Sequence, residues 1–501
     1  MTGSGPSSSL LLGPPRRVSW VGWLGFLLLD VAIVAALPKA PLLAGAAVSV
    51  LLLVPLVQRP ILAAGVAAYG APLLWPIGLL GFQQVTGYFP TLLLVLPLLA
   101  IVGDVTWEFP RFGPRAQRMV RGLQNPLFVC ALVFGVWLLI RTIGTPSPLY
   151  GRLKTYVYFI TSLPLLLVGL VHFGGGIRER DRTFARFVRV TLVVLFLFSV
   201  AGIWNSITEF WPYDGRLRVL GMNPIWVARY TGVGIILAST AWAGRGLRAR
   251  VAVPLLATLT VPFYLAGSRG PLLSLLLALV LWWTLGGRIR LRVSSAAVLV
   301  ALAALFVLAV EFGFVLQGSP LAEHQASNIL RALLLKVVYD QGLLPGLWGL
   351  GTGGFAAAAG VGDIRAYPHN ILLEIWVELG LVGVLVFLAW VGALVRLAVT
   401  RWRAAASLDR DAEAGAAPLD PGVGAEATAL DRREPRVGSL FQSERSRLRV
   451  LAALTFFTFA NAQFSGDISA NQFLWLWAGL LAAPILPYAA PRTSPSSASV
   501  E

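Results

Sequence analysis

Arg218, Arg269 and His369 are the residues of this chain best suited to chemistry on a charged leaving group. A guanidinium presents a rigid fork of donors that takes phosphate oxygens in pairs. Two such forks can hold a diphosphate and stabilise the charge that builds on a departing pyrophosphate. An imidazole titrates near neutrality and can accept the proton of an attacking hydroxyl. The three residues come from three separate stretches. Arg218 lies in Trp204 to Tyr230, beside Arg216. Arg269 lies in the turn Gly267-Ser268-Arg269-Gly270. His369 closes the long stretch Gln317 to Asn370, which also holds Arg331, Tyr367 and Asn370. Each has an ordinary reading: an arginine at the end of an apolar run usually anchors by snorkelling, and a single histidine is more often interfacial than catalytic. The convergence of all three on one side of the map below favours the functional reading.

Two other features carry less. Gly349-Leu-Gly-Thr-Gly-Gly354 loosely resembles a phosphate-cradling loop. It lacks the strand–loop–helix setting and the Lys-Ser/Thr of a P-loop, and reads as a flexible connector. Carboxylates are scarce beside the three candidates, and His324 is the other imidazole on that side, so neither a catalytic divalent metal nor another cofactor is expected. The one cysteine, Cys130, excludes an internal disulfide or a thiol pair.

What positions these residues follows from composition. Of 501 residues 57% are apolar and 13% charged, against about a quarter charged in soluble domains. Apolar runs such as 20–37, 61–82, 127–140 and 371–395 carry few or no charges, and most approach or exceed the roughly 20 residues per helix that a bilayer core takes. They are apolar on all sides, unlike barrel strands. The expected fold is all-α: a polytopic transmembrane bundle of 12 to 14 spans with a large loop before a late span. Spans are placed near 18–37, 41–57, 61–82, 89–106, 124–140, 155–173, 188–204, 230–243, 251–266, 271–285, 295–315, 370–396, 450–466 and 473–489.

Charge orients them. With both termini in the cytoplasm, internal segments hold 29 of the 40 Lys and Arg residues and external ones 11. The turn at Gly267 to Gly270 matters here. Splitting 251–285 into two short spans puts Arg269 at the outer surface and keeps Arg288, Arg290 and Arg292 inside. The net charge of +17 is thus topological and not a nucleic-acid patch. The basic pair Arg16 and Arg17 precedes a run too long for a signal peptide and is read as flanking an uncleaved first span. Residues 1–123 form N-terminal helices and 124–403 the core, with an external loop at about 316–369 and a surface helix near 321–339. Residues 404–449 form a disordered cytoplasmic insert, 450–490 the last helices, and 491–501 a disordered tail.

Four motifs in order resemble the O-antigen ligase and O-antigen polymerase family of bacterial envelope enzymes. They are Arg218-Val-Leu-Gly-Met-Asn223-Pro224, Gly267-Ser-Arg-Gly270, Arg331 followed by Gly349-Leu-Gly-Thr-Gly-Gly-Phe355, and His369-Asn370-Ile-Leu-Leu373-Glu374 with Glu378-Leu-Gly380. Ile225 stands where the family commonly has a second Asn, and the 404–448 insert is outside its pattern. The resemblance implies transfer of a glycan from an undecaprenyl-diphosphate carrier to an acceptor hydroxyl, without metal or nucleotide sugar, on the external face of the cytoplasmic (inner) membrane. Arg218 and Arg269 would clamp the diphosphate, and His369 would act as base or orient the acceptor. Arg331, Arg216, Asn370 and Tyr367 would contact the substrate. The partners implied are the lipid-linked donor, a glycan, lipid or protein acceptor, and membrane lipids, with no nucleic acid. The competing reading is a transporter or flippase of lipid-linked saccharides. It calls for charges within the spans near the midplane, where the sequence offers chiefly Asp30, Asp104 and Glu311 near span ends.

Overall fold

The computed structural model describes residues 114–173, 177–208, 216–219, 222–244, 246–286, 334, 336–340, 346–414, 443–465, 467–468 and 471–484. All of them lie in one compact unit, Leu56–Glu501. The spans expected before residue 107 and at 295–315, Arg331, and most of the 321–339 helix fall outside the described residues; of that helix, residues 334 and 336–340 are helical.

The described residues form helices joined by short connections. They are α1 (Pro114–Leu123), α2 (Pro126–Thr142), α3 (Pro148–His172), α4 (Ile177–Thr208), α5 (Pro224–Ala243), α6 (Ala249–Leu265), α7 (Arg269–Thr284), the short α8 (Gly354–Ala358), α9 (Ile371–Ala414), α10 (Glu444–Ser465) and α11 (Gln472–Ala482). Among the described residues the only β pairing is an isolated bridge between Val219 and Met222. The fold is an all-α polytopic bundle. α3, α4 and α9 are each long and apolar enough to cross a membrane, and α1 with α2 passes the same test as one bent span.

Punctuation residues set the helix starts. Proline opens α1, α2, α3 and α5, where a missing N–H costs nothing. Asn125 and Asn223 cap α2 and α5 by accepting from Leu127 N and Ile225 N, both at 2.9 Å. One face of α2 is buried through Leu127, Ala131, Phe134 and Leu138, while Val129, Leu132, Val133, Val136 and Leu139 are exposed. A helix apolar on its outer face as well as its inner one suits a lipid solvent. Inside, Phe134, Tyr158, Phe387, Trp390 and Trp475 join α2, α3, α9 and α11, with the two tryptophan rings 4.6 Å apart.

Alternation of helix direction gives the bundle two ends. The ends of α2, α4, α6 and α10, and the starts of α3, α5, α7, α9 and α11, share one end with residues 346–370; we call it the loop end. At the opposite end the Glu444 carboxylate is buried among Arg180 (3.1 Å), Arg401 (2.9 Å) and Arg447 (2.5 Å), and Arg447 also pairs with Asp181. Helix continues to Ala414 and resumes at Glu444, so the edges of the expected 404–449 insert belong to the bundle. Its middle lies outside the described residues.

Candidate functional site

The first two arginine segments meet at the loop end. Leu217 N donates to Leu265 O at 2.9 Å, laying residues 216–219 along the end of α6. Arg216 then holds the turn itself: Nε donates to Ala266 O at 3.0 Å and an Nη to Ser268 Oγ at 2.6 Å. Ser268 Oγ is also 3.3 Å from Ala266 O, so its hydroxyl is spent inside the turn and does not cap α7. Arg218 is exposed beside this turn, and Arg269 is half-buried as the first residue of α7. The positive end of a helix dipole thus lies beside Arg269.

The glycines of this turn have different tasks. Gly267 has φ +56°, which an L side chain rarely adopts. A Cβ on Gly270 would stand 2.6 Å from Phe464 Cβ, so a side chain there would push α7 away from α10. The division of 251–285 into two helices, expected from charge, is what the chain adopts.

His369 lies in the loop leading into α9. Its φ is +59°, unique among the described non-glycine residues. Such a backbone persists only when its surroundings over-determine it. They do so from both sides. Asn370 caps α9 through Oδ1, which accepts from Leu373 N at 3.0 Å, and its carbonyl accepts from Glu374 N at 2.9 Å. On the other side the Tyr367 ring packs on the imidazole, with centroids 4.6 Å apart. Burial pushes the Tyr367 phenol above its usual range. Arg365 lies over the same ring at 5.6 Å.

Sequence reading missed what holds this loop. Asp467, buried between α10 and α11, takes two bonds from Arg365 on one oxygen, at 2.9 and 3.1 Å, and one from Tyr150 Oη at 3.3 Å. Burial works against the Arg365 charge, but Asp467 together with Tyr367 and Tyr150 offsets it and the guanidinium pKa rises. Asp363 accepts from Leu149 N (2.7 Å) and Tyr150 N (2.9 Å), capping α3. The scarcity of carboxylates expected here is therefore corrected: two serve this end, both engaged with the protein. Among the described residues no group of three or more His, Cys, Asp or Glu could hold a metal.

Lys154, one turn and a half into α3, is fully buried against Glu374 and against Glu378 at 2.7 Å. The second oxygens of these carboxylates accept from Ile468 N (3.1 Å) and Gly353 N (2.8 Å). One ammonium thereby joins α3, α9, the Gly-rich loop and the residue after Asp467. The paucity of ions inside the spans is corrected too. Lys154 lies six residues beyond Pro148, about 9 Å at 1.5 Å per residue, so the trio lies between the loop end and the middle of α3.

The Gly-rich loop is no loose connector. α9 breaks at Gly380, whose φ of 67° and ψ of −167° leave the helix. Residues 346–351 fill the break: Leu350 N donates to Val377 O (2.8 Å), Gly351 N to Glu378 O (2.9 Å), and Leu381 N to Gly346 O (3.2 Å). Thr352 N bonds Arg141 O, Gly354 N bonds Gly351 O, and Arg141 donates an Nη to Gly349 O at 2.9 Å. With Gly353 N on Glu378, every N–H from Leu350 to Gly354 has a protein acceptor. None is left to cradle a phosphate. A Cβ on Gly349 would meet the Glu378 carbonyl and Gly380 N at 2.5 Å, which is why glycine recurs here.

Residues 254–388 match the family model described as O-Antigen ligase. This stretch of the chain carries an O-antigen ligase domain. The ligase domain takes in Gly267 to Gly270, Arg331, the Gly-rich loop, His369 and Glu378. Arg216 and Arg218 precede it, as does Lys154, and Asp467 follows it. No curated protein matches the chain. The domain match and the apolar helices support a membrane enzyme of O-antigen ligase type, a class of transferase.

Proposed function

We propose that the chain transfers a glycan from an undecaprenyl-diphosphate carrier to an acceptor hydroxyl, without a metal, at the external face of the bacterial cytoplasmic membrane. The observation that carries this is the Arg216 tie to Ser268. It ties the segment that carries Arg218 to the turn that carries Arg269, at the same end of the bundle as His369, which supports a shared phosphate site.

In this reading Arg218 and Arg269 hold the diphosphate, each supplying paired donors. The acceptor oxygen forms a bond to the anomeric carbon, and the bond from that carbon to the phosphate oxygen breaks. The electron pair leaves with the undecaprenyl diphosphate, whose growing charge the arginines and the start of α7 stabilise. His369 takes the hydroxyl proton. Tyr367 and Asn370 flank it within reach of an incoming sugar, while Arg216 shapes the clamp and meets the substrate's edge. Arg331 is assigned phosphate or sugar contact on the resemblance alone. The loop end faces outward and both termini face the cytoplasm, in keeping with the arginine-rich opposite end.

A transporter reading draws on the buried Lys154 trio. Against it, these ions are paired to one another and to backbone. Transfer by purified protein separates the two: the enzyme joins donor glycan to acceptor, whereas a transporter moves the lipid across liposomes and leaves it intact.

A further inference from the structure

Asp467 and Arg365 have no part in the transfer just described, yet both are aimed at its histidine. From Asp467 a continuous path runs outward: its Oδ2 takes both bonds from Arg365, the guanidinium covers the Tyr367 ring, and that ring lies on His369. Asp467 itself is anchored. Tyr150 donates to it from α3, Asn471 Nδ2 bonds its carbonyl at 2.5 Å, and the next N–H, of Ile468, bonds Glu374. The path therefore starts on fixed ground and ends at a residue in a left-handed backbone.

We infer that Asp467, Arg365 and the ring of Tyr367 form a positioning stack that holds the His369 imidazole in its working orientation. The inference rests on the proposed role of His369.

The chemistry favours this over a substrate site. Arg365 is about half exposed, and its bonding edge is committed to a carboxylate that is fully buried. A guanidinium held by a carboxylate lies flat over an aromatic face at little further cost. The ring transmits that constraint to the imidazole by contact alone. His369 needs such support: with φ at +59° it could relax to an ordinary backbone by swinging its side chain away. Asp467 lies outside the ligase domain and Arg365 inside it, so the stack also joins that domain to the connection between α10 and α11.

The test uses purified full-length protein, an undecaprenyl-diphosphate oligosaccharide and the acceptor that supports wild-type transfer. Arg365→Ala and Asp467→Asn should each lower kcat roughly tenfold to a hundredfold, as misplacement of a reacting group by about 1 Å does, with the donor KM within about twofold. The double variant should be no worse than the poorer single, because one stack is broken once. Tyr367→Ala should lower kcat at least as far as Arg365→Ala does, since it removes the ring that lies on the imidazole. Should Asp467→Asn unfold, the Arg365 and Tyr367 variants decide alone. A raised donor KM or additive losses in the Arg365 and Asp467 variants would overturn the stack. So would wild-type rates for Arg365→Ala and Tyr367→Ala beside an inactive His369→Ala, which leaves the proposed function standing. Full activity in His369→Ala would remove both.

Discussion

The Arg216 guanidinium reaches Ser268 Oγ at 2.6 Å across 52 residues of sequence, and ties the segment that carries Arg218 to the turn before Arg269. It braces a turn whose next residue is Arg269, and the exposed Arg218 follows two positions after Arg216. A charge-assisted bond of this kind is worth about 1.5–3 kcal/mol. Arg216→Ala should therefore reduce kcat/KM for the lipid-linked donor by at least about tenfold. Steady-state transfer with varied donor reads this directly.

Lysine should not replace either clamp residue. Arg218→Lys and Arg269→Lys keep the charge and lose the paired geometry. Each is expected to weaken donor engagement and turnover together, by roughly a hundredfold in kcat/KM if one transition-state donor is lost. Recovery of wild-type kinetics in both lysine variants would show that the site needs only positive charge.

Stability should depend on Lys154 far more than on any surface arginine. Lys154→Met leaves Glu374 and Glu378 buried without their cation, which costs about 3–5 kcal/mol in comparable buried pairs. A large fall in Tm in detergent is the expected outcome. Adding Glu374→Gln and Glu378→Gln to Lys154→Met should restore much of it, because the charges then vanish together.

Glycine substitutions separate packing from flexibility. Gly349→Ala puts a methyl into the Glu378 carbonyl, and Gly380→Ala puts one into Leu347 O. Both should abolish accumulation of folded protein in the membrane. Gly360 also has positive φ (+71°) but has nothing within 4 Å of its Cβ position. Gly360→Ala should cost only about 1–2 kcal/mol, and membrane-fraction yield distinguishes the three.

How much of this was legible beforehand depends on whether a residue's partner leaves a trace in residue type. The two-helix division at Gly267 was readable because a single span would have buried Arg269 and reversed the loop charges. The apolar runs at 371–395 and 450–466 were readable by length alone. Asp467 and Lys154 were not, since each finds its partners hundreds of positions away: Lys154 and Glu378 are 224 residues apart. The plug at 346–351 was hidden for another reason. Its partners are backbone groups of a broken helix, and backbone has no residue signature. Glycine recurrence was the trace it left, and that pattern fits a phosphate loop or a linker equally well until the acceptors are located.

The measurement that tests the central claim most directly is transfer of an undecaprenyl-diphosphate-linked oligosaccharide by the purified protein in detergent, with chelator present, for wild type and His369→Ala. The account predicts transfer by the wild type that chelator leaves unchanged, and none by a His369→Ala protein that is folded and as abundant. Transfer by both proteins, or intact donor from both alongside donor flipping in liposomes, would contradict it.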